Sequence, residues 1–120
     1  MLNKEQKQAF DRVEILLSKA GIAFRRSLDR TDVSKYGAMA VATYVSVRPR
    51  VSLNVYLFQN QSSLKQAIEV LDTQPKEKRI YRDYCQNGRL LLVAEADISR
   101  DSEAKKAVIL KFLSAFAGEE

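Results

Sequence analysis

Histidine is absent from the 120 residues, and Cys85 is the one cysteine. Without imidazole the chain offers no Ser-His or Cys-His nucleophile pair, no histidine-ligated zinc site and no histidine proton shuttle. A lone thiol supplies neither an internal disulfide, which agrees with a reducing compartment, nor a cysteine-rich metal site. The four glycines, Gly21, Gly37, Gly88 and Gly118, are scattered. None builds a loop that could cradle a phosphate, so nucleoside-triphosphate and dinucleotide enzymes have no motif here. No apolar run approaches the length that crosses a bilayer, and the chain opens on the polar segment Met1-Leu2-Asn3-Lys4-Glu5-Gln6. A cytoplasmic protein with no membrane partner is therefore expected. The chemistry left over is that of carboxylates, lysine, tyrosine or an oxygen-ligated metal, and the residue inventory implies neither a cofactor nor a metal.

What is present is ordinary in amount and informative in pattern. Apolar residues make up 46% and charged residues 29% of the chain, which suits a single globular domain over residues 1–120. The central stretch runs from Ala38 to Phe58. Met39, Val41, Thr43, Val45 and Val47 alternate with Ala40, Ala42, Tyr44 and Ser46, and Val51, Leu53, Val55 and Leu57 alternate with Ser52, Asn54, Tyr56 and Phe58. This period of two predicts two strands, and Arg48-Pro49-Arg50 between them predicts a turn that makes them antiparallel neighbours. The expected apolar face comprises Met39, Val41, Val45, Leu53 and Leu57.

Helical spacing of Phe10, Val13, Leu16, Leu17 and Ala20 predicts a helix from Asn3, its N-cap, to about Ala20, closed by Gly21. Ile22 to Leu28 reads as a strand and Asp29 to Gly37 as a surface loop. Leu64, Ala67, Ile68 and Leu71 predict a helix from Ser63 to Asp72, with serines capping it, and Thr73 to Arg79 as a loop. Ile80 to Gln86 has two readings. It is either the first strand of a hairpin turning at Asn87-Gly88, or part of a helix opened by Pro75 with Ile80, Tyr81, Tyr84 and Cys85 on its face. Leu90 to Ala96 is a strand in both, and its unbroken apolar core predicts an interior place in the sheet. A last helix, capped by Asp101 or Ser102 and closed by Gly118, would bury Val108, Ile109, Phe112, Leu113 and Phe116. The expected fold is α+β, an antiparallel or mixed sheet of four to five strands packed against three helices, with Leu16, Leu53, Leu91 and Phe112 in the core.

Charge is the global feature with a functional flavour. Residues 22–50 hold Arg25, Arg26, Arg30, Lys35, Arg48 and Arg50 against Asp29 and Asp32, whereas the last thirty residues carry four basic and six acidic side chains. Residues 75–90 hold Lys76, Lys78, Arg79, Arg82 and Arg89 against Glu77 and Asp83. Merged, the two basic segments would form an anion site of Arg25, Arg26, Arg48, Arg50 and Arg79, with Tyr36, Tyr81 and Tyr84 as stacking surfaces for nucleic acid. Unmerged, they keep the protein in solution and guard strand edges. Asp29 with Asp32, and Glu95 with Asp97, are either cation or acid–base pairs or turn residues. Cys85 beside Arg82 and Tyr84 is either a reactive thiol or a small packing residue.

The segments NVYLF, SSLKQAIEVL and NGRLLLVAEAD resemble small uncharacterised proteins of Bacillus-type bacteria. That resemblance covers the second half of the chain and implies a domain of unknown function, with no active site to carry over. The expected function is a non-enzymatic protein-binding or regulatory module whose sheet edge a partner extends, and the alternative is a basic domain that binds nucleic acid or another anion.

Overall fold

The computed structural model describes residues 4–26, 36–75 and 77–117. Three helices and five strands follow in the order α1 (Lys4–Ser18), β1 (Phe24–Arg26), β2 (Ala40–Val47), β3 (Arg50–Leu57), α2 (Gln61–Thr73), β4 (Ile80–Asn87), β5 (Leu90–Asp97) and α3 (Ser102–Ala117). The strands form one sheet in the order β1-β2-β3-β5-β4, antiparallel throughout. The fold is α+β, and β5 lies inside the sheet, as its continuous apolar run predicts.

The sheet is covered on both faces. One face meets α1 and α3: Phe10, Val13 and Leu17 and then Ile109, Phe112 and Phe116 pack on Tyr44, Leu53, Leu92 and Ala94. The opposite face meets α2, whose Leu64, Ala67 and Leu71 pack on Tyr56, Phe58, Leu91 and Val93. Leu53, Leu91 and Phe112 are fully buried, while Leu16 is half-buried because Val13 and Leu17 point more directly at the sheet. All five apolar residues of the predicted α3 stripe are buried.

The central hairpin departs from expectation in register. Val47 pairs with Arg50, leaving Arg48 and Pro49 as the unpaired residues, whereas a three-residue Arg-Pro-Arg turn would bring Val47 opposite Val51. A slip of one residue exchanges the faces of a strand. Hence Ala40, Ala42 and Tyr44, not Met39, Val41 and Val45, share the α1/α3 face with Leu53 and Leu57. Val41 packs instead on the α2 side, Val45 is buried outside both clusters, and Met39 and Val47 are exposed. Both parities of β2 are apolar, so alternation alone does not choose between them. What favours Tyr44 inward is packing: its ring meets Phe24 edge-on at 5.7 Å, and its hydroxyl donates to Glu14 of α1 at 3.3 Å.

Other boundaries shift for local reasons. Helix α1 ends at Ser18, where the Lys19, Ala20 and Gly21 N–H groups donate to carbonyls three residues back, and Gly21 takes the left-handed conformation (φ +72°). The predicted N-cap Asn3 and the closing Gly118 lie outside the described residues. Strand β1 has three residues rather than seven, and Ser27 and Leu28 lie outside the described residues, as does most of the expected Asp29–Gly37 loop. Tyr36, predicted in that loop, is buried against Tyr56. Helix α2 is capped by Asn60, whose side chain accepts the Ser63 N–H at 2.9 Å, so it begins before the serines expected to cap it.

The segment with two readings is the hairpin, and the helical reading falls. Its turn is Gly88-Arg89, not Asn87-Gly88: Asn87 is the last paired residue of β4, opposite Leu90. Glycine at the first central position supplies the positive φ (+60°) that a two-residue hairpin requires there. Asn87 is held in the strand by its side chain, which donates to the Phe116 carbonyl at 2.8 Å and accepts from Arg12 at 3.3 Å. Cys85 likewise donates its S–H to the Leu113 carbonyl at 3.4 Å. Two side chains of β4 thereby meet carbonyls near the C-terminus of α3, and that of Phe116 lies in the last turn, which helical geometry leaves without intrahelical donors.

Candidate functional site

Strand β4 is the long edge of the sheet, with eight residues against the three described for β1 at the opposite edge. Asn87 and Leu90 flank the two-residue turn as a hydrogen-bonded pair. Tyr81, Asp83 and Cys85 therefore turn their backbone groups toward β5, while Ile80, Arg82, Tyr84 and Gln86 turn theirs outward. The neighbouring bonds keep this phase, since the Ile98 N–H donates to the Arg79 carbonyl at 2.7 Å. Two of the outward donors are met locally. The Ile80 N–H donates to the Glu77 carbonyl at 3.2 Å, and the Tyr84 N–H donates to the Asp83 carboxylate at 2.8 Å. Those of Arg82 and Gln86 have no backbone partner among the described residues. An open edge of this length is a template for another strand.

Beside this edge lies a cleft of about 350 Å³ between the end of α2, the connection that follows it and β4. Its floor and walls mix apolar and charged groups, with Leu71, Pro75 and Ile80 next to Asp72, Glu77 and Asp83. The Tyr84 hydroxyl donates to Asp72 at 2.5 Å. That bond, reinforced by partial burial and by the Asp72 and Asp83 charges, pushes the phenol up to about 12. Tyr81 is raised by burial and then by the charge and hydrogen bond of Asp83, and its ring lies 5.4 Å from the Lys106 ammonium. Arg82 is occupied: it donates to Gln74 at 2.9 Å and pairs with Glu95 directly across the ladder at 3.2 Å.

The five arginines proposed as an anion site divide. Arg25 and Arg50 pair with Val45 and Val47, which places both on the sheet face opposite α1 and α3, about 12 Å apart at Cα by strand spacing and rise. Arg48 stands beside them in the turn, and all three are exposed. Arg26 pairs with Tyr44 and belongs to the other face. Arg79 is at the same end of the sheet, but Asp97 stands next to it, opposite Ile80. The two basic segments therefore approach one end of the sheet without merging. Of the predicted stacking tyrosines, Tyr36 is a core residue, while Tyr81 and Tyr84 are half-buried in the walls of the cleft.

The predicted acid pairs also resolve. Asp97 accepts the Ser99 N–H at 2.9 Å and hydroxyl at 2.6 Å, and these bonds hold its carboxyl below the usual range. It is a turn residue leading to α3, whereas Glu95 is the partner of Arg82. Asp29 and Asp32 lie outside the described residues. Among the described residues, no three acidic or sulfur side chains gather to hold a metal ion. No described helix is long and apolar enough to cross a membrane. Cys85 is half-buried and packs against the α1/α3 core.

The residues that sequence reasoning missed are Asp72, Gln74 and Asp83. One signal was available: aspartate is depleted in strands, so Asp83 in the middle of a hairpin arm marks an edge. No protein-family model, no curated protein and no solved structure matches the chain.

Proposed function

We propose that this chain is a non-enzymatic protein-binding module that receives an extended segment of a partner along the outer edge of β4. The observation that carries this reading is the pair of outward, unmatched N–H groups of Arg82 and Gln86 in an eight-residue edge strand. Main-chain bonds to such an edge supply affinity, and flanking hollows for alternate side chains supply selectivity. The variant Gln86→Pro tests it. Proline removes one outward donor and leaves the ladder to β5 intact, because the Gln86 N–H points away from that strand. A partner recovered by the wild-type chain at native salt should be lost by this variant, with the circular dichroism unchanged. Retention of the partner would refute the edge as the docking place.

A second reading rests on a different observation: Arg25, Arg48 and Arg50 stand exposed at one end of the sheet with no acidic partner among the described residues. Three guanidinium groups so placed suit the phosphates of a nucleic acid. Affinity for an oligonucleotide would then fall with salt, and each Arg→Ala change would lower the logarithmic salt slope by about 1. No association with single- or double-stranded oligonucleotides at low salt would dispose of this reading.

A further inference from the structure

We infer that the segment received by β4 carries a lysine or arginine side chain, which the cleft beside the strand seats. This rests on the reading of β4 as a docking edge and names the chemistry of its occupant.

A strand laid along β4 would direct every second side chain toward the α2 side of the sheet, at intervals of about 7 Å. That side opens on the cleft. Among the described residues that line it, Asp72, Glu77 and, at the outer edge of the strand, Asp83 carry carboxylates and Arg82 alone is basic. Arg82 does not neutralise them, because it is turned toward Gln74 and Glu95. The final turn of α2 adds to the negative potential. It carries Asp72 and no basic residue, so the partial negative charge of the helix C-terminus is uncompensated by its own side chains. The described lining thus has the opposite sign to the chain as a whole, which is +5. A tyrosine ring completes the fit. On this side Tyr84 presents its ring beside Asp72, whereas the Tyr81 ring packs on the α1/α3 face near Lys106. The aliphatic stem of a lysine or arginine would lie along Leu71, Pro75 and Ile80 while its head reached the carboxylates.

Two registers of a second copy are disfavoured: antiparallel self-pairing of β4 centred on Asp83 sets the two Asp83 carboxylates opposite one another, and centring on Arg82 opposes the two guanidinium groups. Centring on Tyr84 opposes no like charges, and sedimentation tests that arrangement.

The test is a selection from a random linear dodecapeptide library on the immobilised full-length chain, followed by anisotropy titrations with a synthetic enriched peptide. Enriched sequences should carry lysine or arginine among β-forming residues. Replacing that base by glutamine should weaken binding about tenfold, as should the double change Asp72→Asn with Asp83→Asn, which preserves side-chain oxygens for the Tyr84 bonds. Gln86→Pro should weaken every enriched peptide. Enriched peptides that are neutral or acidic, yet still sensitive to Gln86→Pro, would overturn the basic side chain and leave the docking edge standing. Peptides indifferent to Gln86→Pro, or no enrichment at all, would overturn both. A wild-type dimer in sedimentation that Gln86→Pro dissolves would make a second copy the occupant and overturn the inference.

Discussion

The two faces of the sheet are built from the same strands and serve different ends. Toward α1 and α3 the surface is apolar from β2 through β5, with Ala42, Tyr44, Leu53, Val55, Leu92 and Ala94 under two helices. Toward α2 the apolar area is shorter. Tyr56, Phe58, Leu91 and Val93 lie beneath the helix, and beyond them the same face continues as the Thr43–Asn54 hydrogen bond of 2.8 Å and the Arg82–Glu95 pair. Because paired residues share a face, one register determines both compositions. The contrast teaches that the α1/α3 side carries most of the stability. The α2 side stops short, and where α2 ends the sheet presents charge, hydroxyls and an open edge.

Four substitutions and one titration sharpen this contrast, from the largest effect to the smallest. Phe112→Ala should cost about 3–5 kcal/mol in denaturant unfolding, because a fully buried ring is removed from the middle of the α1/α3 core. Leu64→Ala, equally buried but under a single helix, should cost about 2–3 kcal/mol. Equal costs for the two would erase the proposed asymmetry.

Alkaline titration comes next. Tyr84 is raised to about 12, and Tyr44 is raised further by burial and by Glu14. A phenol whose folded pKa exceeds its unfolded value of about 10 contributes stability that is complete below pH 10 and lost as pH climbs toward 12. The melting temperature should therefore fall over that window. Tyr84→Phe should reduce stability at neutral pH by about 1 kcal/mol, the ordinary worth of one hydrogen bond, and make the alkaline fall shallower. An identical alkaline profile in the variant would contradict the Asp72–Tyr84 bond. Last, Gln86→Pro should change stability by less than about 1 kcal/mol, since it alters only the outward side of an edge strand.

Much of this architecture was readable in advance. The stripe of Val108, Ile109, Phe112, Leu113 and Phe116 and the unbroken apolar run of β5 each reflect a local rule that packing obeys, and Asn87-Gly88 marked the hairpin although its turn lies one residue later. The β2–β3 register was not readable, because Met39, Val41 and Val45 are as apolar as Ala40, Ala42 and Tyr44. Only Phe24 and Glu14, distant in sequence, make the tyrosine side the better one to bury. The cleft was illegible for a similar reason. Asp72 closes a helix, Asp83 sits inside a strand, and nothing in their spacing announces that Tyr84 joins them. The arginine-based expectation read composition where geometry decides: Arg25 and Arg26 are sequence neighbours that a strand sends to opposite faces.

The most direct measurement is amide hydrogen exchange of the free chain, residue by residue along β4. Tyr81, Asp83 and Cys85, bonded to β5, should exchange at the slow rate of the sheet, while Arg82 and Gln86 should exchange many times faster. Uniform slow exchange from Ile80 to Asn87 would mean that the edge is already covered, and would contradict the docking edge on which the functional reading stands.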